Sequence, residues 1–278
     1  MANSTIYIAF SAIMCYTPRM STKINKIKYF HTRYETPVPN VYGNHFHNNY
    51  ELYFFLSGDV EYIVGDTTYI LKPYDLLLIQ PTLYHYPKIQ SSRPYERFVI
   101  NFSIQDVEPT LKEVLDTTRV RFSFSDDGFV KNLYSTFDQH IKSSKEDADI
   151  FSRQALNMLL LQLKFAKSDV EDAQIIHPTL SKMLRYIDDN LSEDLDVESI
   201  SNKFFVSPSW VFHSFKEHFH ISYKHYVNHK KLLYAQQLIQ KGVSANEACA
   251  SCGFSEYTTF YRQYVKQFGI TPAQEKRI

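Results

Sequence analysis

From Tyr50 to Phe102 apolar residues come in short runs broken by turn residues, YELYFFLSGDVEYIVGDTTYILKPYDLLLIQPTLYHYP and then ERFVINF. Val, Ile, Tyr and Phe dominate these runs. Ser-Gly-Asp and Gly-Asp recur at intervals that suit antiparallel hairpins. The pattern predicts short strands closing into a small barrel or sandwich. From Gly128 to Lys167 the spacing becomes helical, with FVKNLYSTFDQHI and FSRQALNMLLLQLKFA separated by the polar KSSKEDAD, which predicts two helices. The polar KSDVEDAQ, Lys167 to Gln174, reads as a linker, and everything after it is helical in pattern.

The final region contains an internal repeat. Val197–Ser222 lies over Asn246–Thr271 without a gap at an offset of 49 residues, placing Glu198 on Glu247, Phe205 on Phe254, Val211 on Phe260, Phe215 on Tyr264, Phe219 on Phe268 and Ile221 on Ile270. Each copy reads as a short helix, a tight turn and a second helix. Ser207 is placed to cap the second helix of the first copy with Pro208 in its first turn, while Gly253 and Ser255 mark the corner of the second copy. Between the copies, Tyr223 to Lys241 carries apolar residues at helical spacing and stops at Gly242. Nineteen such residues at ~1.5 Å each give roughly 28 Å, which with the helices' own width could hold two recognition helices about one turn of duplex apart.

Composition narrows the chemistry. At 278 residues, with 44% hydrophobic and 22% charged residues, the chain is expected to fold as two modest domains. Three cysteines, Cys15, Cys249 and Cys252, are too few for a disulfide framework and fit a reducing compartment, the cytoplasm. IYIAFSAIMCY near the start lacks preceding Lys or Arg, and no run approaches the ~20 apolar residues of a membrane span. Met1 and Met20 both remain candidate starts. The net charge of zero conceals a segregation: residues 200–278 hold 10 Lys and Arg against 4 Asp and Glu, and residues 1–199 hold 20 against 26. A basic terminal segment suits phosphate neutralisation on nucleic acid, although a solvated helical face would carry the same charge.

SPSWVFHSFK, YVNHKKLLYAQQLI and EACASCGFSEYTTFYRQY followed by FGITP resemble the AraC family of bacterial transcription regulators, over Leu180 to about Pro272. The resemblance implies that the second helix of each copy enters a major groove of promoter DNA and that the intervening helix sets their spacing. Phe204 stands where the second copy has its turn glycine, His213 and Lys231 stand where arginine is usual, and the last helix has EKR where the family has an aromatic-Arg pair. Helix geometry assigns Val211, Phe215, Phe260 and Tyr264 to the core, four apart in each copy. The remaining face offers Ser209, Phe212, His213 and Lys216, and Tyr257, Thr258, Tyr261 and Arg262, as DNA-contact candidates. Arg262 suits bidentate contact with guanine or a phosphate, Thr258 a base edge, and Phe212 or Tyr261 a thymine methyl. Cys249 and Cys252 fall on Ile200 and Lys203 of the first copy. With no second CxxC or nearby His cluster they read as small packing residues rather than as a zinc or redox site.

In GNHFHNNYELYFFLSG, Gly43 to Gly58, His45, His47 and Glu51 are spaced by two and four. On an extended strand that spacing directs all three to one face. The stretch resembles the first cupin motif, and PTLYH, ending at His85, resembles a shortened second one, with Tyr74 where a glycine is usual and the glycine between Pro81 and His85 missing. Metal ligands, polar lining of an effector pocket, and satisfied structural side chains are three readings open to this set. The regulator resemblance favours the pocket, since sensing cupin domains of that family bind sugars or other small metabolites.

The expected fold is α+β: a cupin-like β-barrel over 21–125, a helical pair over 126–168 that could dimerise, and an all-α domain over 175–278 with two helix-turn-helix units joined by a linker helix. The expected function is effector-controlled transcription regulation, with His45, His47, Glu51 and His85 binding the effector and no metal, cofactor or catalytic residue. Promoter DNA, the small-molecule effector, RNA polymerase and a second copy are the expected partners, with no membrane. A metal-dependent cupin enzyme with an appended helical domain is the alternative. ALNMLLLQL, Ala155 to Leu163, suits either a dimer stripe or burial against the barrel.

Overall fold

The computed structural model describes residues 27–41, 45–124, 128–140, 145–166 and 173–275. Cys15 with the apolar stretch around it, Met20 and Gly43 lie outside them. The chain divides into two compact units, one built on Lys23–Asn40 and Phe46–Ser181, the other, among the described residues, on Lys182–Glu275 with Val41 and His45.

The first unit carries strands β1 (Lys28–Tyr34), β2 (Asn40–Val41), β3 (Tyr50–Ser57), β4 (Val60–Val64), β5 (Thr67–Ile70), β6 (Asp75–Ile79), β7 (His85–Ile89), β8 (Tyr95–Phe102), β9 (Arg121–Ser123) and β10 (Ala173–Ile175), with helices α1 (Gly128–His140) and α2 (Lys145–Phe165) before the last of them. Among the described residues the strands form two five-stranded sheets, ordered β1-β8-β3-β6-β9 and β10-β5-β4-β7-β2, rather than a closed barrel. The turn residues explain the difference. Gly65-Asp66 joins β4 to its hairpin partner β5, whereas Ser57-Gly58-Asp59 carries the chain out of one sheet and into the other, because β3 pairs with β6 and β8 and not with β4.

β3 is apolar from Leu52 to Leu56 because it is covered on both faces, and Glu51 is the charged exception. Leu52 and Phe54 pack with Leu76, Leu78, Phe98 and Ile100 against Val130, Tyr134 and Phe137 of α1 and Leu156, Leu159 and Leu160 of α2. Glu51 and Tyr53 point the other way, toward the second sheet, where the Tyr53 and Tyr62 rings lie 4.4 Å apart. Each large apolar side chain withdrawn from water here contributes about 1.5–3 kcal/mol. The leucine-rich stripe of α2 is part of this core: Ala155, Leu156, Leu159, Leu160 and Leu163 are buried in it.

Two elements at the edges of this unit differ from the sequence expectation. α2 begins at Lys145, inside the polar run expected to separate the helices. Asp147 and Ala148 are acceptable in a first turn, where an acidic residue interacts favourably with the positive end of the helix dipole. Ala173–Ile175, expected as linker and helix, is a strand, pairing Ala173 with Tyr69 and Ile175 with Thr67. Three residues are too few to show a period of two in the sequence.

The second unit is helical: α3 (Pro178–Asp189), which spans the unit boundary, then α4 (Val197–Phe204), α5 (Pro208–Phe219), α6 (Tyr223–Gln240), α7 (Ala245–Ser251), α8 (Tyr257–Phe268) and α9 (Pro272–Glu275). The N-termini are set by side-chain caps. The Asp196 carboxylate accepts from the Glu198 and Ser199 amides at 2.8 and 3.0 Å, Ser222 caps α6, and Ser244 and Glu247 form a reciprocal capping box on α7. α6 is buried nearly all round, through Tyr223, Tyr226, Val227, Leu232, Leu233, Ala235 and Ile239, as a helix enclosed by its neighbours must be. Its 18 residues span roughly 27 Å at ~1.5 Å per residue.

Candidate nucleic-acid interface and ligand site

The two helix-turn-helix copies keep their register in three dimensions. α5 and α8 each have 12 residues, and Pro208 and Phe219 stand 49 positions before Tyr257 and Phe268. Their inward faces are aromatic. Phe215 lies 5.1 Å from Tyr226 and 5.4 Å from Phe219, and Phe260 lies 5.4 Å from Tyr264; Val211, Phe215, Phe260 and Tyr264 are fully buried. The Tyr264 hydroxyl donates to Glu275 Oε2 at 3.0 Å, and that carboxylate also accepts from Gln236 at 3.0 Å and Gln240 at 2.7 Å, tying α6, α8 and α9 together.

The outward faces leave Ser209, Phe212, His213 and Lys216 exposed on α5, and Tyr257, Thr258, Tyr261 and Arg262 exposed on α8. Aligned by the repeat, His213 matches Arg262, Phe212 matches Tyr261, and Ser209 matches Thr258. The corners before these helices differ. In the second copy Gly253 takes the left-handed turn at φ 66°. In the first that conformation falls one position later than the aligned Phe204, on Phe205 at φ 54°, whose ring is 96% exposed. Phe204 itself packs edge-on against Tyr186, 5.9 Å between ring centres.

Gly253 is also sterically required. A Cβ there would stand 2.8 Å from the Ser192 carbonyl oxygen and 2.9 Å from Lys231 Nζ. Lys231, where arginine was expected, is buried and donates to the Glu193 carbonyl at 2.8 Å. Cys249 and Cys252 are free and buried, packed with Leu232, Ala235, Ile239, Ala248, Phe260 and Tyr264. Burial pushes the Cys252 thiol up to about 12 and the Cys249 thiol above its usual value, which suppresses the thiolate that redox or metal chemistry needs.

In the sheet-rich unit His47, Glu51 and His85, three of the four residues singled out by spacing, converge, though along a different path from the one expected. β3 starts only at Tyr50, and the chain bends at Asn48 and Asn49. His47 is turned inward by that bend, with its Nδ1 2.9 Å from the Asn49 carbonyl. His85, at the start of β7, has its Nδ1 2.8 Å from the Leu83 carbonyl. Glu51 lies between the two rings, with its Oε2 3.2 Å from His47 Nε2 and 3.6 Å from His85 Nε2. One ligand atom from each of His45, His47, Glu51 and His85 lies within 4.8 Å of the others. Burial would raise the Glu51 carboxyl, but the His47 and His85 rings beside it hold it well below the usual carboxylate range.

The two positions where the cupin motifs lack their glycines keep a glycine-like backbone, with Tyr74 at φ 73° and Thr82 at φ 67°. Thr82 donates its amide to the His47 carbonyl at 2.8 Å, so this turn fixes the histidine loop. Residues that gave no signal in the sequence complete the surroundings. The Tyr62 hydroxyl reaches Glu51 Oε1 at 3.5 Å, the Tyr53 and Tyr95 hydroxyls meet at 2.7 Å, and the Arg97 guanidinium lies 5.4 and 5.8 Å from those two rings. Open cavities of about 340 Å³ lie elsewhere in the unit, one against Val114, Phe122 and Leu163 and one against His31, Tyr74, Phe98 and Lys131.

Comparison with known proteins settles the family. The model of the AraC-like ligand binding domain matches residues 31–164, and a helix-turn-helix domain model matches residues 200–278. The chain belongs to the AraC family of transcription regulators. Among its relatives, the uncharacterized regulator YfiF of Bacillus subtilis is 24% identical over 87% of this chain and 82% of its own length. The activator RhaS of Escherichia fergusonii is 23% identical over 52% of each chain. Among solved structures, an AraC-type regulator from Chromobacterium violaceum matches at 28% identity over 36% of this chain and 90% of its own, with a TM-score of 0.35. ToxT from Vibrio cholerae matches at 12% identity over 90% and 98%, with a TM-score of 0.38. This AraC-family chain is thus a DNA-binding regulator that carries a ligand-binding domain. No helix among its described residues is long and apolar enough to cross a membrane.

Proposed function

We propose that this protein is a cytoplasmic, sequence-specific regulator whose affinity for a promoter is set by a sugar or related small metabolite bound against His45, His47, Glu51 and His85. The observation that carries the DNA half is the repeat itself: two 12-residue helices bury aligned pairs, Val211 with Phe260 and Phe215 with Tyr264, and expose aligned polar pairs, Ser209 with Thr258 and His213 with Arg262. Ser209, Phe212, His213 and Lys216 contact one major groove, and Tyr257, Thr258, Tyr261 and Arg262 contact the next, with α6 as spacer. The excess of Lys and Arg over residues 200–278 supplies the salt-dependent phosphate attraction.

A second copy and RNA polymerase are the protein partners of this reading. With the leucines of α2 taken up by the core, the dimer face falls on its other side, where Ile150, Met158 and Phe165 are exposed. The test is selection of genomic duplex fragments by the purified protein at fixed salt, with and without a panel of sugars. Enrichment of a site with two contacted blocks one helical turn apart, shifted by one sugar class, is expected. Absence of enrichment under every condition would remove the regulator reading of this chain.

A further inference from the structure

We infer that the cavity of about 340 Å³ between α1 and the sheet that holds β1, β8 and β3 is a second small-molecule site, and that it takes a carboxylate carried on a flat apolar ring. Its Leu56 and Phe98 belong to the face of the sheet on which the helices pack. Glu51 and the histidines beside it lie on the other face, so the inference stands apart from the sensing role proposed for that cluster.

The walls come from separate segments of one compact unit. Leu56 ends β3, Phe98 lies on β8, His31 on β1, Tyr74 in the turn before β6, and Lys131 in the first turn of α1. Tyr74 is the unusual member. Its φ is 73°, a conformation that costs a residue with a Cβ energy and is ordinarily left to glycine. The turn is held from both sides: the Tyr74 amide donates to the Phe55 carbonyl at 2.7 Å, and its carbonyl accepts from the Phe124 amide at 3.1 Å. A glycine would keep both of these backbone bonds, so the reason for a ring here lies in what the ring touches. It leans on Phe54, 6.3 Å between ring centres, and the Lys131 ammonium stands over it, 5.6 Å from its centre.

That lysine supplies the charge. Among the described residues Lys131 pairs with no carboxylate, and an aromatic face leaves its N–H donors open to an acceptor. The acid at the cavity is already compensated, with Glu96 Oε1 2.8 Å from His31 Nε2 and Oε2 accepting from Arg33 at 3.4 Å. The uncompensated charge is therefore positive and calls for an anion.

The rest of the lining decides what carries the anion. The Ser57 hydroxyl donates to the Pro94 carbonyl at 3.1 Å and the Ser135 hydroxyl to the Lys131 carbonyl at 3.0 Å, so few polar groups remain for a ligand rich in hydroxyls. A sugar would leave several of its own without partners, which is costly. An aromatic acid has one polar end: its carboxylate meets Lys131, and its ring lies among Tyr74, Phe98 and Leu56. The volume is near the lower end of the roughly 300–1,000 Å³ of small-molecule sites, room for one ring or a fused pair. Because Lys131 belongs to α1 and the other groups to the strands and their turn, a bound acid would tie that helix to the sheet.

The experiment uses the full chain, with benzoate, indole-3-carboxylate and nicotinate as probes and benzyl alcohol as the uncharged counterpart. Calorimetric titration should give saturable binding of at least one acid, one per chain, with a Kd of about 1 mM or lower, and weaker binding of the alcohol. Hydrogen exchange of α1 should slow in the presence of that acid. Lys131→Met should weaken the acid at least about tenfold and the alcohol little. Tyr74→Gly removes the ring while favouring the native backbone, so it is the variant least exposed to misfolding, and it should weaken acid and alcohol alike, by at least about threefold. Lys88→Met, which removes an exposed lysine from the other sheet, should change nothing. No saturable binding of any of the acids, equal affinity in Lys131→Met or Tyr74→Gly, or protection that appears only outside α1 and the cavity strands would overturn the inference.

DNA affinity measured with the sugar panel keeps the two proposals apart. A sugar response that survives in Lys131→Met and Tyr74→Gly is expected, and its loss in the folded variants would merge the two sites and overturn the second. Acid binding without any sugar response removes the sugar reading of the histidine cluster and leaves this site standing.

Discussion

The two helix-turn-helix copies share their spacing and the buried pairs Val211 with Phe260 and Phe215 with Tyr264 but build their corners from opposite materials. The first turns on Phe205, a bulky residue in a left-handed conformation with its ring in solvent, and starts its second helix with a cap from Ser207 to the Trp210 amide at 3.1 Å. The second turns on Gly253, pressed against the Ser192 carbonyl and Lys231, and starts its second helix at Glu256 with no side-chain cap bond. In the first copy the turn is conformationally strained but spatially free, and the helix start is chemically fixed. In the second the turn is unstrained but hemmed in.

Substitutions can break this contrast. The largest effect is expected for Gly253→Ala, which adds both left-handed strain and a clash with backbone that cannot swing aside; about 3 kcal/mol of stability should be lost, read as a lowered denaturant midpoint of the helical unit. Unchanged stability would mean that the second corner is not hemmed in.

Arg262→Ala should weaken promoter binding by about 1–3 kcal/mol in titrations at fixed salt, and the aligned His213→Ala should weaken it less. Intact affinity in Arg262→Ala would refute the contact assignment, and equal losses would mean that the copies read DNA alike. Ser207→Ala should cost about 1 kcal/mol of stability while Glu256→Ala costs close to none, measured side by side by thermal unfolding.

Phe205→Gly is expected to act in the opposite direction. Relief of left-handed strain should outweigh the added chain entropy and stabilise by up to about 1 kcal/mol, since almost no buried surface is lost. A fall in promoter affinity in the same variant would show that the exposed ring is kept for contact rather than for folding.

The helical unit was largely legible in the sequence because helix periodicity and an ungapped repeat are both local signals. What the alignment does not carry is the backbone of the first corner: Phe204 aligns with Gly253, but the left-handed residue is Phe205. The ligand site was legible in membership and not in path. His45, His47 and Glu51 were placed on one extended strand, whereas a bend at Asn48 and Asn49 turns His47 inward. The tyrosines and Arg97 around Glu51 were hidden because, on a strand covered on both faces, every position looks like core. Strand partners were hidden too, since nothing near Ser57-Gly58-Asp59 says whether the chain will fold back on β3 or cross to a different sheet.

That doubly covered strand has a mechanical meaning. Along β3, Glu51 belongs to the histidine cluster while its neighbours Leu52 and Tyr50 face the helices, and consecutive residues of a strand are joined by a rigid peptide only 3.8 Å long between Cα atoms. The strand is a party wall: the backbone that carries Glu51 on its charged side is the same backbone that carries Tyr50 and Leu52 into the core on which α1 and α2 rest.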